Sequence, residues 1–166
     1  MPERIRHILS RLRGDAACRV LPSTGQPVLP AGLSLPSDVR ELYEMCGGAM
    51  LFSDSLYPIH IVAPADCTLA NPVLVGDECR DDISFDWLII CSSNWGQTIT
   101  LDCAAARSGR CYDSYWDRHG LRGDCHVIAL SFTDLLEQLL EARGRWLFWT
   151  LPSFQSLGDA YDGVDT

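Results

Sequence analysis

The stretch from Asp86 to Trp116, DWLIICSSNWGQTITLDCAAARSGRCYDSYW, most constrains what this chain can fold into. Trp87-Leu88-Ile89-Ile90-Cys91 is an unbroken apolar run, too short for a stable helix and suited to a strand buried on both faces. Ser92-Ser93-Asn94 supplies turn residues, and Gln97 to Leu101 resumes with strict alternation. Ile99 and Leu101 face one way and Thr98 and Thr100 the other, the pattern of a half-buried strand. Ala104 to Gly109 makes the next connection, and Cys111 to Trp116 reads as a third, aromatic-rich strand. A meander of this kind needs helices from the rest of the chain to cover it.

Those helices are legible. Pro2 to Arg13 places Ile5, Ile8, Leu9 and Leu12 at helical spacing and stops at Gly14. Cys18 to Leu35, punctuated by Pro22, Gly25, Pro27, Pro30 and Gly32, is an extended connector with room for one edge strand at Arg19 to Leu21. A second helix opens at Leu35-Pro36-Ser37-Asp38, carries Val39, Leu42, Tyr43 and Cys46 on one stripe, and stops at Gly47-Gly48. Met50 to Phe52 and Tyr57 to Val62 are short strands, and Ala63 to Val75 reads equally as helix or strand. His126 to Leu130 is a last strand. Ser131 then caps a helix with Asp134 in the capping box and Leu135, Leu136, Leu139 and Leu140 on its apolar face. The expected fold is α+β: a single domain over 1–151 with a mixed or mostly antiparallel central sheet and helices packed on one side. A polar, acidic tail over 152–166 is expected to fray.

Charge narrows the function. Of 166 residues, 22 are acidic and 13 basic, every basic one an arginine, for a net charge of −9. Binding a phosphate backbone needs a basic face, so nucleic acid is not the expected partner. No apolar run is long enough to cross a membrane, and the start leads into an amphipathic pattern rather than a signal core. Cys46, Cys67, Cys91, Cys103, Cys111 and Cys125 sit in or beside apolar runs, where a reduced thiol behaves as a small hydrophobe. A cytoplasmic protein without a disulfide framework is expected.

Motifs for chemistry are absent from the pattern. Cys125 and His126 are adjacent, but neighbours on a strand point to opposite faces and cannot meet as nucleophile and base. The cysteines lack zinc-ligand spacing, and His7, His60, His119 and His126 are scattered. Asp77, Glu78, Asp81 and Asp82 lack the alternation and central glycine of a calcium loop. Gly47-Gly48 ends a helix and has no P-loop lysine near it. No catalytic residue, metal or cofactor is expected.

The order of elements and their punctuation resembles the SUKH superfamily of bacterial immunity proteins and fungal regulators of cell-wall synthesis. Four segments carry the resemblance. Leu35-Pro36 through Cys46-Gly47-Gly48 is similar to the family's LP-x-D…NGG segment, with cysteine in place of asparagine. Trp87 to Ile90 with Ser92 to Gly96 resembles its tryptophan-bearing strand and turn. Thr98 to Asp102 resembles the strand ending in leucine-aspartate. Ile128 to Leu136 resembles the terminal strand-to-helix signature. The resemblance implies an α+β fold, no catalysis, and a cognate protein toxin as partner, blocked by occlusion of its active site or substrate channel. The alternative it leaves open is a general interaction or regulatory module without a toxin.

For such an inhibitor, acidic groups would complement a basic active-site surface and speed association. The expected partner-binding set is Asp77, Glu78, Asp81, Asp82, Asp86, Trp95, Asp102, Tyr112, Tyr115 and Trp116. Alternation puts Tyr112, Ser114 and Trp116 on one face of their strand and Asp113 and Tyr115 on the other. Equally, Trp95 and Trp116 could belong to the core and the acidic loop be merely solvated.

Overall fold

The computed structural model describes residues 2–165. Seven strands form one sheet in sequence order, each antiparallel to the next: β1 (Cys18–Val20), β2 (Ala49–Leu51), β3 (Ile59–Ile61), β4 (Trp87–Ser93), β5 (Thr98–Asp102), β6 (Cys111–Ser114) and β7 (Val127–Ala129). Four helices accompany them: α1 (Pro2–Arg13), α2 (Ser37–Met45), α3 (Ala70–Leu74) and α4 (Phe132–Ala142). Of the two sheet types expected, the antiparallel one is present. The ambiguous segment before β4 resolves as a 3-10 turn at Pro64–Asp66, a single antiparallel bridge of Leu69 to Leu88 with the Thr68 carbonyl accepting from Ile89, and then α3.

One face of the sheet carries the main core. Leu88, Cys91, Ile99, Leu101, Cys111 and Ala129 meet the apolar stripes of α1 (Ile5, Leu9, Leu12), α2 (Val39, Leu42) and α4 (Phe132, Leu136, Leu139), all buried. The stripes follow from 3.6-residue spacing, and α4 starts where expected, with Ser131 Oγ accepting from the Asp134 amide at 3.0 Å. Asp134 does not return the bond as a capping box would; its carboxylate takes Arg4 at 2.9 Å and so ties α1 to α4. Leu136→Ala should cost about 2–5 kcal/mol, the range for a buried leucine whose pocket cannot collapse. A urea midpoint unchanged from wild type would remove Leu136 from the core.

Gly47-Gly48 does more than end α2. The Gly47 amide donates to Leu21 O and Gly48 O accepts from the Leu21 amide, both at 2.9 Å, which docks the connector onto β2. A Cβ on Gly47 would stand 2.2 Å from Pro22 O, and Gly48 adopts φ +103 with Ile61 O 2.6 Å from any added Cβ. Only glycine fits this crossing.

The other face departs from expectation. Cross-strand partners share a face, so Trp87 and Asp102 stand together, as do Ile89, Thr100, Tyr112 and Val127 in the next row and Thr98 with Ser114 beyond. The threonines of β5 are buried here, so the strand is not half-exposed. Thr98 Oγ1 donates to Ser114 O at 2.7 Å and the Thr100 and Ser114 hydroxyls bond at 2.6 Å, which lets polar side chains fill this layer. The cover comes from the loop after β6 and from the C-terminal segment, which docks on the sheet through Gly158 to Tyr161. Gly158 O accepts from the amide of Val127, Ala160 N donates to Cys125 O, and Ala160 and Tyr161 are buried against Trp87 and Tyr112. A segment polar on average still docks when two of its side chains fill a pocket and its backbone satisfies an edge strand.

Candidate interaction surface

The expected contact residues fall into three places. Around the start of β4, Asp77, Glu78 and Asp81 are exposed, and Glu78 pairs with Arg80. Asp82 is different. Its Oδ1 accepts from the Ser84 amide and from Tyr161 Oη, each at 2.8 Å, capping the turn Ile83–Asp86 and tying it to the C-terminal segment. Burial alone would raise the Asp82 carboxyl, but these donors hold it below its ordinary value. Asp86 is half-buried, and its carbonyl accepts from the Cys103 amide.

Asp102 and Tyr112 lie in the second place, beneath the surface, with no exposed area. Asp102 Oδ2 accepts from Trp87 Nε1 (3.1 Å), Tyr112 Oη (2.6 Å) and Arg107 Nε (2.9 Å), while Oδ1 takes the Ala104 amide (2.9 Å). The Trp87 and Tyr112 rings lie 4.3 Å apart. Neither Asp102 nor Tyr112 offers an atom to a partner. The register explains why: Asp102 pairs with Trp87 across the sheet, so the strand-ending aspartate points into the second layer, where the indole N–H requires an acceptor. His119 stands edge-on to Trp87 with ring centroids 5.7 Å apart, its Nε2 2.7 Å from Asn71 Oδ1. Asn71 Nδ2 donates to Glu78 O and Ser84 Oγ, so Oδ1 is the acceptor and His119 Nε2 carries the proton. Burial pushes the imidazole from 6.5 down to about 4, against a weaker pull from Asp82.

The third place is the opposite end of β4, about 20 Å away at the rise of a seven-residue strand. Trp95 tops the β4–β5 turn at 78% exposure, and Trp116, just past β6, is 76% exposed. The expected strand through Trp116 stops at Ser114 because its partner β5 has run out at Thr98. The chain then turns, with Tyr115 O accepting the amides of Arg118 and His119. Gln97 Oε1 accepts from the Trp116 amide at 3.0 Å, fastening the two tryptophan-bearing segments together. Tyr115 is half-buried between them and the core. Sequence reasoning missed Leu56 (72% exposed) and Tyr57 (41%), in the β2–β3 turn at the same end. The expected strand from Tyr57 starts only at Ile59, after Pro58, which leaves Leu56 and Tyr57 in the turn.

Residues 30–138 match the SMI1 / KNR4 family (SUKH-1). Across 158 residues, 95% of this chain and 96% of the relative, the sequence is 45% identical to Immunity protein YokJ of Bacillus subtilis (strain 168). The chain belongs to the SUKH family. No solved structure matches it.

The SUKH signatures acquire physical roles here. Asp38 of the LP-x-D segment accepts at Oδ2 from both the amide and the hydroxyl of Thr133, each at 2.9 Å, so two motifs 95 residues apart meet at the paired starts of α2 and α4. The leucine-aspartate signature ends in the Asp102 hub, and its tryptophan is the Trp87 donor. Among the described residues no group of three His, Cys, Asp or Glu side chains could hold a metal ion, and no helix is long and apolar enough to cross a membrane. Cys125 is buried while His126 is exposed, on opposite sides as alternation requires. Burial raises the thiols of Cys67, Cys103 and Cys125 to about 12, far from the thiolate form.

Proposed function

We propose that this chain is an immunity protein that binds a cognate toxin domain in the cytoplasm and neutralises it by covering the active site or substrate channel, with no catalysis of its own. The observation that carries this reading is the 45% identity to Immunity protein YokJ over nearly the whole of both chains. Raised thiol pKa values and a histidine held neutral in a buried network fit a binder better than a nucleophilic enzyme. The excess of carboxylates over guanidiniums, net −9, suits a basic surface on the toxin and a steered encounter.

Co-expression with the cognate toxin tests the reading. Rescue from growth arrest and co-purification of a stable complex are expected; growth arrest that persists with soluble, folded protein present would overturn it. Steering is tested separately with Asp77, Glu78 and Asp81 changed to lysine. Asp82 is left alone because it holds Ser84 and Tyr161. The association rate should fall about tenfold at low salt and lose most of its salt dependence, with dissociation unchanged. An association rate equal to wild type at every salt concentration would mean that the acidic segment does not steer.

A further inference from the structure

We propose that Leu56, Tyr57, Trp95 and Trp116 form one docking rim, and that it seats an arginine- or lysine-rich surface of the toxin domain. The inference rests on the immunity reading and names the place where contact is made. The sheet register brings the four together. The last paired positions at this end are Ile59 with Ser93 and Thr98 with Ser114, and the turn closes with the Ser93 amide on Gln97 O at 2.8 Å. Tyr57, Trp95 and Trp116 each lie two residues beyond that row. Strand spacing sets the span from β3 to β6 at about 15 Å. Ile59, Ser93, Gln97 and Tyr115 lie together in the row beneath.

Exposed tryptophan on a floppy loop would carry little weight, but these side chains stand on fixed backbone. Ser93 Oγ accepts from the amides of Trp95 and Gln97, each at 3.2 Å, and Gly96 takes φ +75, which closes the turn. The Ser55 amide donates to Phe52 O and the Tyr57 amide to Gly144 O, both at 2.9 Å, which pins the β2–β3 turn to the end of α4. Anchors already held in place lose little freedom on binding. At the exposures given, the four side chains present on the order of 500 Å² together, near the top of what a monomer leaves in one patch.

Charge selects the occupant. Asp54 and Asp117 flank the aromatic groups, both exposed. Arg118, the neighbouring guanidinium, is committed: its Nε lies 2.9 Å from Asp113 Oδ2, its Nη1 3.8 Å from Asp117, and its head sits over the Tyr115 ring at 4.8 Å. Asp117 is shared with Arg118, so the rim joins open indole faces to the exposed Asp54 carboxylate on a chain of net charge −9, a combination that binds guanidinium or ammonium groups through ring faces and ion pairs. The exposed carboxylates at the start of β4 act at long range, while the rim makes the contact.

The experiment is binding of the double variant Trp95→Ala/Trp116→Ala to the cognate toxin domain, with wild type alongside. Both side chains are exposed, so the variant should melt within about 2 °C of wild type. We expect affinity to fall at least a hundredfold through faster dissociation, and Leu56→Ala/Tyr57→Ala to lose about tenfold. Wild type that fails to bind overturns the immunity reading and the rim with it. Wild type and double variant binding with equal affinity overturns the rim alone. Self-association of wild type that the double substitution abolishes, with toxin binding intact, also overturns it, by assigning the rim to a second copy of this chain.

Discussion

Asp102→Ala is expected to lower the free energy of unfolding by about 3–5 kcal/mol, because it strips the acceptor from a buried ion pair and leaves its partners behind. Three donors converge on Oδ2, and with the carboxylate gone the Trp87 indole N–H and the Tyr112 hydroxyl both lose their acceptor in a layer closed to solvent. Arg107, whose side chain is largely covered, loses the counter-charge 2.9 Å away. Asp102→Asn should cost less, roughly 1–3 kcal/mol, since an amide oxygen can occupy the Oδ2 position while the Ala104 amide and the ion pair are lost. Urea unfolding of the two variants and wild type measures both values. Asp102→Ala within 1 kcal/mol of wild type would show that the hub is not what holds the second layer, and water would have to be reaching Trp87.

The second large effect is a pH dependence that His119→Gln should remove. Between pH 6.5 and about 4 the unfolded chain protonates this histidine while the folded chain does not. The unfolded state then binds more protons, so stability rises with pH across that window and is lost as pH falls from 6.5 to 4, flattening beyond either end. The loss attributable to this one group is about 3 kcal/mol. Glutamine keeps a donor for Asn71 Oδ1 and cannot titrate. Carboxylates held low by hydrogen bonds, such as Asp82, contribute in both proteins at the acid end, so the difference between the two profiles is what counts. Profiles that run parallel from pH 7 to pH 4 would mean that the folded protein accommodates the imidazolium.

Both effects arise in the layer that periodicity read least well. For Thr98 to Leu101, alternation assigned the faces correctly, and it did so for α1, α2 and α4, because a strand repeats every two residues and a helix every 3.6 whatever surrounds it. It could not say whether the threonine face met water or protein. That was decided by Ser114, which partners both threonines, and by Ala160 and Tyr161, which close over Trp87 and Tyr112 beside them from far along the chain. The same limit split the expected contact set. Tyr112 and Trp116 share a face on paper, yet β6 ends between them, so one is buried in the hub and the other stands in solvent.

What this sequence determined by itself was local and periodic: the helical stripes, the strand order of a meander whose short turns leave little choice of neighbour, the Ser131 cap, and the family to which the motifs belong. What only the tertiary structure decided was which polar residues found partners. Asp102 reads as a contact carboxylate and Asp38 as a helix-start residue, and both become internal ties because donors from neighbouring strands and from α4 arrive there. Trp95 and Trp116 read equally as contact or as core residues, and they stand outside because the strands that lead to them end at one level with nothing beyond to cover them. Burial is a property of the pair that meets, and one segment of sequence holds only half of each pair.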